Sequence, residues 1–490
     1  MLCINNLIIF LLAIPLLGSL FLALIPKNKT LVIKIIGLSF SSLSFLLSLL
    51  LWVWFDKSLG YFQFVTQVHW LPFLNINFTL GVDGISLFFI LLTTLLTLLC
   101  LLISWNSITF NVKEYVISFL IMEFFLIGVF CVLDLLLFYI LFESVLIPMF
   151  LIIGIWGSRE RKIRAAFFFF LYTLLGSVLM LLGILYILYQ VGTTDYEILL
   201  TYILTEKEQK LLWLAFFASF ATKVPMIPVH IWLPEAHVEA PTAGSVILAG
   251  VLLKLGTYGL IRFSLPLFPQ ASFFFTPLVY TMSAIGIVYG SLTAIRQTDF
   301  KRIIAYTSVA HMNLVIVGIF SFNVVGLEGA ILQSVSHGFV ASALFLIIGV
   351  VYERYHTRTV KYYGGLVHIM PLYTFIFLFF TMANIGLPGT GSFIGEFLIL
   401  TGSFEACTSI TFISATGMVL GGCYSLWLFN RISYGNLKTQ YINKFIDINK
   451  REAFVFFPLL LGTLIMGIYP GIFLNPIHTS VHLLIEHLFF

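Results

Sequence analysis

Several ionisable residues lie deep within long apolar stretches of the sequence, where they could carry protons. They are Glu123, Glu143, Lys223, Lys254, His311, His337 and Glu396. A charge at the centre of a membrane costs about 2.5 to 3.5 kcal/mol even on a lenient insertion scale, so such residues usually face a partner or water. For any one of them, an ion pair between helices or a histidine bonded to a backbone carbonyl is an alternative explanation. Their number in one chain favours proton or ion transfer.

Lys223 is followed closely by two prolines, Pro225 and Pro228. Proline donates no backbone hydrogen bond and clashes with the carbonyl four residues earlier, so the helix should break beside the lysine. A broken helix at the midplane exposes backbone dipoles to a cavity and admits water, as in many transporters. Burial and a nearby carboxylate act in opposite directions on the proton affinity of a lysine. Moving a glutamate relative to Lys223 would therefore load or unload a proton.

A second interruption, at 384–391, contains Pro388 and three glycines and precedes Glu396. The seventh and twelfth predicted spans therefore share one defect. Each is the fourth span of a five-helix block, 114–263 and 275–432. An odd number of helices reverses the orientation of one related block relative to the other, so the sequence predicts an inverted repeat.

The composition excludes a soluble globular protein. Of 490 residues, 60% are hydrophobic and only 9% are charged, against about half and about a quarter in ordinary soluble domains. The net charge of +4 comes without a dense basic cluster, so no nucleic-acid partner is expected. The five cysteines never approach C-x-x-C spacing, which argues against an iron–sulfur centre or a disulfide framework.

Two short motifs contain residue types that are found in ligand sites. The stretch from His230 to Glu239 contains four metal-type ligands, but a polar loop capping a broken helix explains them better than zinc does. The run from Gly389 to Gly395 follows no strand, so it is not a dinucleotide fingerprint. No metal or cofactor is expected in this chain.

Hydropathy predicts an all-α membrane protein, because only helices satisfy their backbone groups within one apolar span. Most lysines and arginines fall in the odd-numbered connections, which places those loops on the inner side and both termini on the outer side. We predict one polytopic domain, with 1–113 preceding the two blocks and a linker and last helix at 433–490. The fourteen or so spans lie near 6–25, 31–55, 85–104, 114–133, 135–156, 165–190, 211–233, 241–263, 275–296, 303–322, 325–351, 371–402, 408–432 and 453–474.

Two connections have patterns of their own. Residues 61–84 alternate in polarity and end in Gly-Val-Asp-Gly, which predicts a β-hairpin over the outer face. The linker 431–452 is predicted to form an amphipathic surface helix. For each of these two connections, an irregular loop is the alternative interpretation.

Five segments closely resemble the antiporter-like subunits of NADH:ubiquinone oxidoreductase, respiratory complex I, especially those of plant, algal and protist mitochondria. The resemblance implies that Glu143 is the fifth-helix glutamate and Lys223 the lysine of the broken seventh helix. It places Lys254 at the centre of the proton path, with His311 and His337 leading to Glu396 on the twelfth helix. The sister chains 2 and 5 are expected to have a lysine at that last position. The segments are 135–162, 221–263, 304–313, 336–345 and 386–397.

This resemblance implies a proton-translocating subunit in the membrane arm of complex I, with no redox chemistry in this chain. NADH, FMN, iron–sulfur clusters and ubiquinone would be bound by other subunits. The implied partners are the other membrane-arm subunits, especially chains 2 and 5, and membrane lipids, in the mitochondrial inner membrane with the basic loops toward the matrix. A sodium/proton antiporter subunit and a scaffold with a vestigial polar interior are alternatives. The roles of Glu123 and Asp134 are left open.

Overall fold

The computed structural model describes residues 6–71, 75–441 and 446–489. Within these ranges, twelve helices are long and apolar enough to cross a membrane, and two further predicted spans are interrupted helices. The helices are α1 (Leu7–Leu24), α2 (Thr30–Trp54), α3 (Gly84–Ser107), α4 (Val112–Cys131), α5 (Leu135–Ser144 and Leu146–Trp156), α6 (Lys162–Val191), α7 (Glu206–Lys223 and Trp232–Glu239), α8 (Thr242–Leu267), α9 (Pro269–Arg296), α10 (Phe300–Ile319), α11 (Val324–Tyr355), α12 (Pro371–Ile385 and Gly391–Ala406), α13 (Thr408–Ser433), α14 (Lys450–Ile468) and α15 (Gly471–Phe489).

The two predicted helix breaks are present. The first part of α7 ends at Lys223, and the first part of α12 ends at Ile385 before the helix resumes at Gly391. Two further irregularities were not predicted. Helix α5 is interrupted at Val145, and α8 contains π-helical turns, a feature that is frequent at functional sites.

The predicted hairpin between α2 and α3 is confirmed. Strand β1 (Gln63–Leu71) pairs antiparallel with β2 (Ile76–Val82), and residues 72–74 between them lie outside the described ranges. Asp83 follows β2 and caps α3, since its side chain accepts the backbone N–H of Ser86 at 3.0 Å. The hairpin therefore leads directly into α3.

The C-terminal region differs from the prediction. The predicted surface helix over 431–452 is wrong for its described part, because α13 ends at Ser433 and residues 434–441 and 446–449 are not helical; residues 442–445 lie outside the described ranges. The predicted last span, 453–474, is also corrected. Helix α14 ends at Ile468, and α15 follows after a short turn. Proline and glycine at Pro470 and Gly471 account for that turn.

Helices α8 and α11 form the centre of the molecule. Every residue in the most apolar stretch of each is buried, whereas only 28% of the corresponding stretch of α2 is buried. Helix α3 packs against both, and α11 also packs against α10 and α12. The residues in the most apolar stretches of α8 and α11 are thus shielded from lipid by the chain itself. A lysine or histidine on these helices has only other protein groups or internal water as neighbours.

Candidate functional site

An ion pair lies where two helices are interrupted. The Nζ atom of Lys223 is 3.8 Å from Oε1 of Glu143, and both side chains are largely buried. The same ammonium donates a hydrogen bond to the carbonyl oxygen of Phe142 at 3.2 Å and lies 3.9 Å from the centroid of the Phe142 ring. Because the break in α5 follows Glu143 within two residues and α7 ends at Lys223, the pair is attached to two local discontinuities.

The break in α7 leaves backbone groups that the surrounding residues satisfy. The indole N–H of Trp232 donates to the carbonyl of Thr222 at 2.8 Å, and the N–H of Met226 donates to the carbonyl of Ala221. Asn313, on α10, donates to the carbonyl of Pro225. A buried carbonyl without such a partner would cost about 1 to 3 kcal/mol. These contacts therefore stabilise the interruption beside the lysine.

Lys254 lies on α8 and contacts α11. Its Nζ atom is 2.8 Å from Nδ1 of His337 and donates to the carbonyl oxygen of Ala249 at 2.5 Å. Ala249 lies in the π-helical turn Leu248–Leu252, where the wider coil changes which carbonyls are available. Both Lys254 and His337 are buried. A lysine and a histidine at this separation can share a proton but are unfavourable when both are charged.

His311 connects this pair to Glu396. The rings of His311 and His337 have centroids 5.8 Å apart, and Nδ1 of His311 is 3.2 Å from Oε1 of Glu396. The amide of Gln333 also donates to that Oε1 at 3.1 Å. Lys254, His337, His311 and Glu396 therefore form a continuous series of neighbours across α8, α11, α10 and α12.

The break in α12 positions the Glu396 carboxylate. Gly386 has φ +84°, in the region that favours glycine, and a Cβ atom there would lie 2.8 Å from Oε2 of Glu396. The hydroxyl of Ser392 donates to the carbonyl of Ala383 across the break. Glycine is thus required at Gly386 both for the turn and for the approach of the carboxylate.

The predicted site residues fall into two groups. Glu143 and Lys223 form one, and the series from Lys254 to Glu396 forms the other. Helices α7 and α8 pack closely between them, with Gly256 against the backbone and side chain of Val224. No side-chain hydrogen bond joins Lys223 to Lys254 in the described ranges. A proton passing between the groups would need water or a side-chain movement.

The two acids left open by the sequence have different surroundings. Glu123 is buried between α2 and α4, and its Oε1 accepts the hydroxyl of Ser44. Asp134 caps α5, since Oδ1 accepts the N–H groups of Leu136 and Leu137 at 2.9 and 3.0 Å, and Oδ2 accepts the hydroxyl of Thr194 at 2.6 Å. Burial raises the pKa of the Asp134 carboxyl, whereas these hydrogen bonds oppose the rise. Asp134 therefore has a local structural role.

Sequence reasoning missed a buried lysine, Lys301, which it assigned to a basic loop. The structure places it on the first turn of α10, buried, donating to the carbonyl of Ala240 at 2.7 Å and to Oγ of Ser245 at 3.2 Å. Nearby, His237 stacks on Phe345 with ring centroids 4.7 Å apart. The sequence feature that could have predicted this burial is the position of Lys301 at the start of an apolar helix, two residues after Asp299. Within the described ranges, no group of three His, Cys, Asp or Glu side chains is arranged to bind a metal.

Arg262, near the end of the predicted span 241–263, lies inside α8, which continues to Leu267. It lies in the second π-helical turn of α8, with Nη2 2.5 Å from Oδ2 of Asp83. Both side chains are buried, and Tyr258 is within hydrogen-bonding distance of the guanidinium. This ion pair joins α8 to the end of the hairpin. Its role is to fix one end of α8.

Comparison with known proteins gives consistent results. The family model described as "NADH:quinone oxidoreductase/Mrp antiporter, TM" matches residues 132–422, which include all six predicted site residues. The chain is 61% identical over 96% of its length, and of the relative's, to NADH-ubiquinone oxidoreductase chain 4 of Arabidopsis thaliana.

Solved structures have the same fold. A chain of respiratory complex I from Thermus thermophilus superposes with a TM-score of 0.90 at 29% identity, covering 98% of this chain and 99% of that one. A chain of the Mrp complex from a Dietzia species superposes with a TM-score of 0.88 over the whole of both chains. Its identity is 19%, so this second match shows the shared fold alone.

Proposed function

The chain belongs to the NADH:quinone oxidoreductase/Mrp antiporter family, as a proton-translocating subunit of the membrane arm of respiratory complex I, and we propose that its protons pass through Glu143, Lys223, Lys254, His337, His311 and Glu396. The other subunits of the complex are its partners, and its long apolar helices make it a multi-pass protein of the inner membrane. The assignment of the six residues is our proposal.

One observation carries this proposal: the buried series from Lys254 to Glu396. Its contacts are 2.8 Å between Lys254 and His337, 5.8 Å between the two histidine rings, and 3.2 Å between His311 and Glu396. Imidazole accepts a proton on one nitrogen and releases one from the other, so a histidine can relay between a lysine and a carboxylate. Structural pairing alone would not call for two histidines between the charged ends.

We further propose that the Glu143 and Lys223 pair controls this series. When Glu143 is close, it stabilises the charged form of Lys223; when it withdraws, the buried ammonium becomes unfavourable and releases its proton toward Lys254. Redox energy from other subunits would supply the displacement. NADH, FMN, iron–sulfur clusters and ubiquinone are assigned to those subunits, and no redox step is assigned to this chain.

The orientation and immediate neighbours are also proposals. The basic loops after α1, α5, α9, α11 and α13 would face the matrix of a mitochondrion, with both termini toward the intermembrane space, as the distribution of positive charge predicts. The antiporter-like chains 2 and 5 and membrane lipids would contact the exposed helices, such as α2 and α13, whose apolar stretches are mostly unburied.

Replacement of Lys254 by methionine tests the central assignment. Methionine keeps a long unbranched side chain but cannot bind a proton. In assembled complex I reconstituted into vesicles, we expect at least a tenfold loss of proton pumping, with the complex still assembled. Lys57→Met is the matched control, because Lys57 is exposed, and it should leave pumping unchanged. Normal pumping per electron in Lys254→Met would contradict the proposal.

The subunits that purify with the chain distinguish a complex I subunit from a free-standing sodium/proton antiporter. If the chain purifies with flavin and iron–sulfur subunits and its pumping requires NADH and ubiquinone, the complex I assignment holds. Sodium-driven proton exchange without these subunits would favour the antiporter. The 61% identity to a complex I chain favours the first result.

A further inference from the structure

A small cavity adjoins the Glu396 end of the proposed proton path. It has a volume of about 20 Å³ and lies between α9, α10, α12 and α13, with Glu396, His311, Ser414 and Tyr424 among its walls. A cavity of about 10 to 15 Å³ is enough for one water, provided that several polar groups line it. Nε2 of His311 and Oγ of Ser414 both lack a hydrogen-bond partner in the described structure. The cavity is thus large and polar enough for one water molecule.

Ser414 begins a file of hydroxyl groups that leads away from the cavity. Its side chain is 1% exposed, and Thr411 lies three residues earlier on α13, on the same helix face, where Cβ atoms are about 5 to 6 Å apart. The hydroxyl of Thr411 donates to Oγ of Ser403 on α12 at 3.0 Å. Thr411 and Ser403 are also buried. The three hydroxyls lie in one seam between α12 and α13.

This seam ends where the chain reaches the surface. Glu396 lies ten residues before the end of α12 at Ala406, which corresponds to about 15 Å along a helix, or half of a hydrocarbon core about 30 Å thick. Cys407 connects α12 to α13 and lines a surface groove together with Tyr280, Phe322 and Ile410. Ser403 lies seven residues after Glu396, about 10 Å along the helix, and three residues before Ala406, which lines this groove.

We propose that Ser414, Thr411 and Ser403 form the outward exit for protons from Glu396, a conclusion that rests on the proposed function. Protonated Glu396 gives its proton to a water in the cavity, and this water donates to Ser414. Each hydroxyl then accepts one proton and releases its own, and Ser403 releases its proton to solvent water at the outer surface, so no hydroxyl is consumed and no electrons move. The carboxylate of Glu396 is left charged and ready to be reprotonated through His311.

The experiment removes the hydroxyls while retaining side-chain shape. In assembled complex I reconstituted into vesicles, the variants Ser414→Ala, Thr411→Val and their combination are compared for proton pumping and NADH oxidation. We expect the double variant to pump about tenfold more slowly, which corresponds to about 1.4 kcal/mol in the barrier. The variants Ser414→Thr and Thr411→Ser retain a hydroxyl at each position, so they should keep most of the activity.

The controls separate a relay from a structural effect. Thr416→Val changes an exposed threonine on the same helix, whose hydroxyl donates to the carbonyl of Ile413 within that helix, and should leave pumping unchanged. A larger solvent deuterium isotope effect in Ser414→Ala than in the parent complex is also expected, because proton transfer then limits turnover. If the double variant assembles less well, the single variants provide the test.

The outcomes distinguish this inference from the proposed function. If Lys254→Met stops pumping while the double hydroxyl variant pumps normally, the exit is wrong and the proton path stands. If Lys254→Met also pumps normally, the proposed function itself fails. If Ser414→Ala and Ser414→Thr reduce pumping equally, the hydroxyl is not a relay and the inference is overturned.

Discussion

The interaction between Glu143 and Lys223 gives a quantitative prediction. At 3.8 Å between Nζ and Oε1 and an effective dielectric constant of about 20, their Coulomb attraction is about 4 kcal/mol. Replacing Glu143 by glutamine removes this attraction while preserving size. Even a third of that energy in the proton-transfer barrier slows the step about tenfold. We therefore expect Glu143→Gln to reduce pumping by at least tenfold.

A shorter acid provides an intermediate case. Aspartate at 143 withdraws the carboxylate by about 1.5 Å, the length of one carbon–carbon bond, and lowers the attraction to about 3 kcal/mol. If the same third of this loss of about 1 kcal/mol enters the barrier, pumping falls about twofold. Pumping should therefore decrease in the order Glu, Asp, Gln. A structural scaffold with a vestigial polar interior would show no such order.

The assay is proton uptake into vesicles containing the assembled complex, measured beside NADH oxidation in the same preparation. Glu160→Gln is the matched control, because Glu160 is an exposed acid in the loop after α5. The content of the chain in the purified complex is measured for each variant. Full pumping per electron in Glu143→Gln, at normal assembly, would refute the role assigned to this pair.

Two further predictions concern stability and the turn beside Glu396. Arg262→Met leaves Asp83 buried without its partner, so we expect a loss of about 3 to 5 kcal/mol, measured as lower assembly and earlier thermal unfolding; unchanged unfolding would show that the pair is dispensable. Gly386→Ala and Gly389→Ala each introduce strain of about 1 to 2 kcal/mol, because both glycines have positive φ. Only at Gly386 would the new Cβ meet Glu396, so turnover in the assembled complex should fall for Gly386→Ala alone, and equal turnover in the two variants would contradict this positioning.

The helices and their two main breaks could be predicted from the sequence, because lipid requires backbone groups to be satisfied within a segment and proline prevents that locally. The break beside Lys223 follows from Pro225 and Pro228 in this way. The hairpin within 61–84 could likewise be predicted, from the alternation of polar and apolar residues along this segment.

The interruption at Val145 has the same cause as the break beside Lys223, because Pro148 cannot donate to the carbonyl of Ser144 four residues earlier, but it was not predicted from the sequence. The π-helical turns of α8 were not predicted either, and no residue pattern in the sequence indicates them.

The burial of Lys301 and Arg262 also required the structure. Because both residues lie near helix ends, the sequence alone suggests that their charges belong to loops. Only the packing shows that Lys301 donates to Ala240 and Ser245 and that Arg262 forms an ion pair with Asp83. The surface helix predicted at 431–452 failed for a related reason. Amphipathic spacing alone does not form a helix when the chain is instead tied to other elements, as at Asp447, which accepts the N–H groups of Leu372 and Tyr373.

By itself, the sequence determined that the protein spans a membrane and which ionisable residues lie in its apolar stretches, because hydrophobicity and residue type are local properties. Tertiary structure decided which of these groups are neighbours. Lys254, His337, His311 and Glu396 are separated by tens of residues along the chain, and they meet only because α8 and α11 pack at the centre with α10 and α12 beside them. Proton transfer depends on distances of a few ångströms, and such distances between different helices are set by packing.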